Sequence, residues 1–242
     1  MKKIVKRVIL VFVLILVIAL GIAVYNFYPM LIMKPAQTGG IPDTNIFAAK
    51  NNMNAVYFVD TGDGYIMIDA GSDVKALETV INDAGIGADD VKWVLLTHSD
   101  YDHVASLPLF PNAEIYISEN EIPLLNGTVK RNAASYNSLP AEIGIDDLAP
   151  LQDGQELSFA GTAVKCLGAP GHTNGSMLYL IDGKYLFTGD AFKVDNEKLG
   201  VHPYTMDEET AKKTIESLKD TINGNTLVIT AHYGYFEGDR LS

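Results

Sequence analysis

The hexapeptide HSDYDH, His98 to His103, packs two imidazoles and two carboxylates into six residues, directly after the apolar run Trp93 to Leu96. His and Asp are the usual nitrogen and oxygen donors for zinc, iron or manganese. Donors clustered at a strand end converge on one point without a long loop. The same letters also fit a polar turn with a satisfied surface histidine, so the hexapeptide needs support from elsewhere in the chain.

That support comes from the remaining polar punctuation. His172 lies in PGHTNGS, His232 in ITAHYG, and Asp190 closes LFTGD. In each case a β-type hydrophobic run precedes the polar residue, which puts it at a strand end or in the loop that follows. The fifth histidine, His202 in GVHPY, has no such run before it. It reads as a surface or helix-entry residue, with a contact to substrate as the sharper alternative.

The order HSDYDH, PGHT, TGD, AHYG resembles the metallo-β-lactamase superfamily of binuclear metallohydrolases, whose pattern is HxHxDH, a distant His in a GH[ST] turn, an Asp after a strand and a late His. The likeness reaches upstream, where Ala55 to Asp60, the turn Thr61 to Gly64, and Tyr65 to Asp69 closing in IDAG resemble the family's opening hairpin. It spans roughly residues 45 to 236. Asp100 stands where the family normally has its second His, as HxExDH does in the flavodiiron branch.

The resemblance implies that His98, Asp100 and His172 hold one metal, that Asp102, His103 and His232 hold a second, and that Asp190 bridges them. Two divalent ions follow, with zinc first and iron or manganese admitted by Asp100, because an added oxygen donor favours harder ions. Such a pair lowers the pKa of a shared water from about 15.7 towards 7 and supplies hydroxide for attack on a carbonyl or phosphoryl centre. Asp102 is then the residue that orients this nucleophile and shuttles its proton. A third carboxylate makes the centre one charge less positive than the usual set, so its water should be a weaker acid. Asp is also shorter than Glu or His, so the alternatives to direct ligation by Asp100 are binding through a water or a weakly occupied first site.

The N-terminus, MKKIVKR, precedes Val8 to Tyr25, eighteen uncharged residues. As a helix these span about 27 Å, close to the hydrocarbon thickness of a bilayer. Lys2, Lys3, Lys6 and Arg7 predict a cytoplasmic N-terminus and an outward-facing domain. The expectation is a single-pass anchor over residues 1–35 and a catalytic domain over 36–242. A signal cleaved near Gly21-Ile22-Ala23, giving a secreted protein, is the alternative.

The net charge is −12, and the first 35 residues carry five basic and no acidic side chains, which leaves −17 on the remainder. Such a domain repels nucleic acid and polyanionic substrates. Lys130 and Arg131 form the one exposed-looking basic pair. The lone Cys166, in TAVKCL, reads as a small apolar residue of a buried strand rather than as a ligand or nucleophile.

Periodicity predicts strands over Ala55–Asp60, Tyr65–Asp69, Trp93–Thr97, Glu114–Ser118, Gln155–Phe159, Thr162–Leu167, Ser176–Ile181, Lys184–Thr188 and Thr226–Thr230. Helices are expected over Asp73–Ala84, shortly after His103, over Glu119–Leu125 and over Asp207–Ile222, with Asp73 and Asp207 at their starts. Strands in two groups with helices outside them make an α/β layered sandwich. The resemblance specifies αββα, four layers with the metals at one edge. Asn126–Pro150, rich in Asn, Ser, Pro and Gly, reads as a loop over the site, with Tyr136 its aromatic.

Two functional classes result. The first is a membrane-anchored, extracytoplasmic hydrolase of a small ester, thioester, lactone or amide. The second is a catalytically weak metal-binding or sensory module on the same fold.

Overall fold

The computed structural model describes residues 2–131 and 137–242. It divides into a unit ending at Met33 and a unit from Lys34 to Ser242. The first unit is α1 (Lys2–Ile32), which extends past the expected Val8–Tyr25 on both sides. Its stretch Ile4–Val24, 21 residues with mean hydropathy 3.1, is long and apolar enough to cross a membrane.

The second unit holds two main sheets. Strands β1 (Gly39–Gly40), β2 (Ile46–Asn51), β3 (Asn54–Asp60), β4 (Tyr65–Ile68), β5 (Val91–Leu95), β6 (Glu114–Ser118) and β7 (Leu148–Leu151) form the first, in that order. Its pairs are antiparallel up to β4 and parallel from there on. Strands β8 (Glu156–Phe159), β9 (Thr162–Gly168), β10 (Met177–Ile181), β11 (Tyr185–Phe187), β14 (Leu227–Thr230) and β15 (Gly234–Glu237) form the second. A small hairpin of β12 (Lys193–Asp195) and β13 (Lys198–Gly200) stands apart from both.

The two-residue period of a strand sends alternate side chains to opposite faces. On β3 this places Tyr57 and Val59 in the core shared with the second sheet, against Cys166, Tyr179, Phe187 and Ile229. Val56 and Phe58 point the other way, into a core with Leu77 and Ile81 of α2 (Val74–Ala84). Both faces of β3 are buried, which is why it reads as a continuous apolar run. Asp73 caps α2 by accepting from the Ala76 N–H, and Gly85 ends it in the left-handed conformation.

Near one edge the sheets are tied by hydrogen bonds as well as by packing. The Met177 N–H donates to the Thr97 carbonyl (2.9 Å), the Tyr179 hydroxyl to the Leu96 carbonyl (2.7 Å) and the Tyr57 hydroxyl to the Thr230 carbonyl (2.7 Å). The loops that leave the strands at this edge are the ones that carry the histidines.

Several expectations need adjustment. The Asn126–Pro150 segment is not all loop, because Leu148–Leu151 adds to the first sheet beside β6. Glu119–Leu125 is a 3-10 turn (Glu119–Glu121) running into the short α4 (Ile122–Leu125). The final helix α5 is Glu208–Ser217, shorter than expected, and Asp207 caps it through the Glu209 and Thr210 N–H groups. Strands β1, β2, β12, β13 and β15 lie outside the expected set; β2 (IFAAKN) is an apolar, largely buried run, whereas the others are short, polar or glycine-containing, and their pairing rather than their own pattern makes them strands. Tyr136 lies outside the described residues.

Candidate metal centre

Four loops build the site. His98 and Asp100 follow β5, and Asp102 and His103 sit in the single-turn helix α3 (Tyr101–Val104) that Asp100 opens. His172 is in the turn after β9, Asp190 in the turn after β11 and His232 in the turn after β14. Gly189 makes the turn after β11 compatible with the first sheet. It adopts φ +49°, and a Cβ there would overlap the Thr97 side chain.

All seven residues marked by the sequence come together, and His202 joins them. The five imidazoles form a closed ring, with centroid separations of 4.0 Å (His98–His103), 5.6 Å (His103–His232), 5.4 Å (His232–His202), 5.0 Å (His202–His172) and 4.8 Å (His172–His98). Asp190 lies among them. Its Oδ2 is 3.6 Å from His103 Nε2, 3.7 Å from His172 Nε2 and 3.6 Å from His202 Nε2, and its Oδ1 is 3.2 Å from His232 Nε2. Asp100 Oδ2 lies 3.2 Å from His172 Nε2 and 3.5 Å from His98 Nε2. Asp102 Oδ2 lies 3.5 Å from His232 Nε2 and 3.8 Å from His103 Nε2.

Hydrogen bonds on the outer ring nitrogens decide which way the rings face. His103 Nδ1 bonds Asp69 Oδ2 (2.8 Å), and His232 Nδ1 donates to the Met53 carbonyl (2.6 Å). His202 Nδ1 donates to the Pro203 carbonyl (2.8 Å). A carbonyl only accepts, so the proton sits on Nδ1 and Nε2 of each of these last two rings presents a lone pair. Asp69, in the IDAG turn, holds φ +58°, which Asp tolerates better than most residues. It also accepts from the Thr97 N–H and hydroxyl, so one carboxylate joins the end of β5 to α3.

These Nε2 atoms do not satisfy one another. His98 Nε2, His103 Nε2, His202 Nε2 and Asp190 Oδ1 are buried without a hydrogen-bond partner, a costly arrangement for polar atoms unless a cation completes it. Donors on one ion, bound at about 2.0–2.2 Å, are separated by roughly 3–3.6 Å, close to the spacings seen here. The residues therefore fit divalent metal.

The electrostatics agree. Burial would lower the pKa of His103, yet Asp69, Asp102 and Asp190 hold it well above an ordinary imidazole, and Asp190 and Asp102 raise His232 in the same way. Burial would raise Asp190, but His202, His232 and His103 hold it well below the usual carboxylate range. Burial pushes His202 well below an ordinary imidazole despite the pull of Asp190. Metal binding by these rings releases any proton their Nε2 atoms carry.

Two expectations are overturned. His202 is neither a surface nor a helix-entry histidine; it is 3 % exposed in the ring. The loop before α5 folds inward because the Met206 and Asp207 N–H groups donate to the His172 and Gly171 carbonyls. Arg131 is not part of an exposed basic pair either, although Lys130 is exposed. The Arg131 side chain is buried and ion-pairs with Asp100 Oδ1, which also accepts from Asn137 Nδ2 (2.8 Å). Its other nitrogen donates to the His172 (3.3 Å) and Tyr204 (2.7 Å) carbonyls. The guanidinium offsets the negative charge that a carboxylate in place of a neutral His adds.

Glu121, a residue with no sequence signal, is fully buried. Its carboxylate accepts from the Ser99 N–H (2.9 Å) and hydroxyl (2.7 Å) on one oxygen, and from the Thr173 hydroxyl (2.8 Å) and Gly175 N–H (3.1 Å) on the other. It staples the loop of His98 and Asp100 to the turn of His172. A Cβ at Gly175 would overlap the Glu121 backbone, so the staple depends on that glycine. Cys166 takes no part: it is buried between the sheets, and burial pushes its thiol up to about 11.

Comparison with known proteins points to one superfamily. Residues 50–232 match the family model of the metallo-beta-lactamase superfamily. A probable polyketide biosynthesis zinc-dependent hydrolase of Bacillus subtilis is 32 % identical over 128 residues, 52 % of this chain and 48 % of that protein. The chain thus spans about half the length of that relative. A probable metallo-hydrolase of Methanocaldococcus jannaschii is 28 % identical over 171 residues, covering 69 % of this chain and 71 % of the other. Among solved structures, a subclass B3 metallo-beta-lactamase of Bradyrhizobium japonicum superposes with a TM-score of 0.65 at 21 % identity, over 83 % of this chain and 79 % of that one, a likeness of fold.

Proposed function

The chain belongs to the metallo-beta-lactamase superfamily, and from that premise we propose a metal-dependent hydrolase, membrane-anchored and extracytoplasmic, acting on a small ester, thioester, lactone or amide. Its centre takes two divalent ions, zinc before iron or manganese. His98, Asp100 and His172 hold one, Asp102, His103 and His232 the other, and Asp190 lies between them. The observation that carries this reading is that Nε2 of His98, His103 and His202 and Oδ1 of Asp190 are buried without partners, among donors grouped closely enough to hold a metal ion.

Divalent ions held there supply Lewis acidity and a water acidified from about 15.7 towards 7. The remaining work falls to the chain. Asp102 has a side chain 41 % exposed, against 10 % for Asp100 and 5 % for Asp190. That exposure supports Asp102 as the carboxylate that orients the attacking water and carries its proton to the leaving group. Asp69, Arg131 and Glu121 position the inner residues. The charge of −17 outside the first 35 residues supports a neutral or weakly charged substrate over a polyanion. The basic flank of α1 and the apolar length of Ile4–Val24 support the anchor and its orientation.

The test has two arms. Elemental analysis with hydrolysis of a chromogenic ester, thioester, lactone and amide panel should give two metal equivalents and turnover that a chelator removes. Two equivalents with no turnover on any member would favour the sensory module. Asp100→Ala should lose metal at the first position; full metal content and activity in that variant would remove Asp100 from the ligand set. Carbonate washing of membranes from expressing cells should leave the protein in the pellet, and release into the medium would mean cleavage instead.

A further inference from the structure

We propose that His202 is a metal ligand, through Nε2, on the ion held by His98, Asp100 and His172, and that it returns the imidazole the centre lacks where Asp100 replaces a histidine. This rests on the metal-centre reading above.

Three observations carry it. First, His202 Nε2 is buried and without a partner, while Nδ1–H is committed to the Pro203 carbonyl, so the free lone pair points inward. Second, one donor atom each from His172, Asp190 and His202 lie within 4.8 Å of one another, the same closeness shown by His98, Asp100 and His172. His202 Nε2 is 3.6 Å from Asp190 Oδ2, against 3.7 Å for His172 Nε2. It meets Asp190 at the separation of a residue already assigned to the ion.

Third, the loops bearing the three residues are held by one group. Arg131 pairs with Asp100 and donates to the carbonyls of His172 and of Tyr204, two residues beyond His202. The Thr205 hydroxyl closes the turn by donating to the His202 carbonyl (2.7 Å). A histidine serving only to fill space would not need its loop fixed to the Asp100 and His172 loops. With His202 included, the ion meets three imidazoles and the carboxylates of Asp100 and Asp190. That mixed nitrogen and oxygen set accommodates zinc in an expanded coordination, or iron and manganese.

The experiment uses cobalt(II) as the probe on the full-length chain, its native metal removed. His202→Ala and His202→Gln are compared with wild type by chelator competition, by the visible ligand-field bands and by the hyperfine-shifted exchangeable imidazole N–H resonances. The expected result is two cobalt ions in wild type, with one weakened tenfold or more in both variants, about the least that removing even an outer partner of a ligand costs. The ligand-field bands should change and one shifted N–H should vanish. Unchanged affinity for both ions with unchanged bands would overturn the proposal and leave the metal centre standing. Wild type that takes up no cobalt would overturn both. Should neither variant fold, the wild-type spectrum decides: five shifted imidazole N–H signals for the five histidines support ligation by His202, and four refute it.

Discussion

Glu121→Gln isolates the staple between the two loops that bear His98, Asp100 and His172. The carboxylate accepts two donors on each oxygen, including the backbone N–H groups of Ser99 and Gly175. Glutamine keeps the shape but turns one oxygen into an NH2. The Thr173 hydroxyl can rotate to accept, since it also contacts Ser176 Oγ at 2.8 Å. A backbone N–H cannot, so in either amide orientation one buried N–H faces another. Each unsatisfied buried polar group costs about 1–3 kcal/mol, and with two such groups the expected loss is about 3 kcal/mol. For a domain of about 200 residues this lowers Tm by roughly 6–12 °C. Thermal unfolding followed by circular dichroism on the chelated protein reads the term directly. Metal competition on the same variant should show a 10- to 100-fold loss at the ion nearest Asp100. A Tm within about 2 °C of wild type, with unchanged metal affinity, would refute the staple.

Three further outcomes follow from the same geometry. Asp69→Asn keeps the size of the turn but offers His103 Nδ1 a different partner. Metal affinity at the His103 and His232 position should drop 10- to 100-fold, read by zinc competition, while wild-type affinity would mean that Asp69 does not orient that ring. Metal removal should destabilise the domain, because an ion bound only by the folded state adds stability by mass action. Calorimetry with and without excess zinc should show Tm rising with zinc concentration, and a Tm independent of zinc would contradict the donor assignment. Cys166, buried with its thiol pushed up to about 11, should resist maleimide at pH 7.5 in the native state and react stoichiometrically in urea. Rapid native labelling would mean that the two sheets open there.

The chain was legible where its chemistry is local. Strand ends could be read from apolar runs that stop on polar residues, and the starts of α2 and α5 from Asp73 and Asp207, because a cap acts over three residues. The seven donor positions could be named because each sits within a few residues of such a strand end, and their order along the chain resembles one family. The length and apolarity of the N-terminal helix are likewise properties of a contiguous stretch. What tertiary structure alone decided is every relation between charges distant in sequence. Arg131 meets Asp100 across 31 positions and Tyr204 across 73, and Glu121 meets Thr173 across 52. A carboxylate where a histidine was expected demands a counter-charge somewhere, yet only folding chose Arg131 over Lys130 beside it. The same holds for His202, whose neighbours in sequence describe a loop before a helix. Its burial comes from backbone hydrogen bonds to Gly171 and His172, atoms that every residue carries and that leave no mark on sequence pattern.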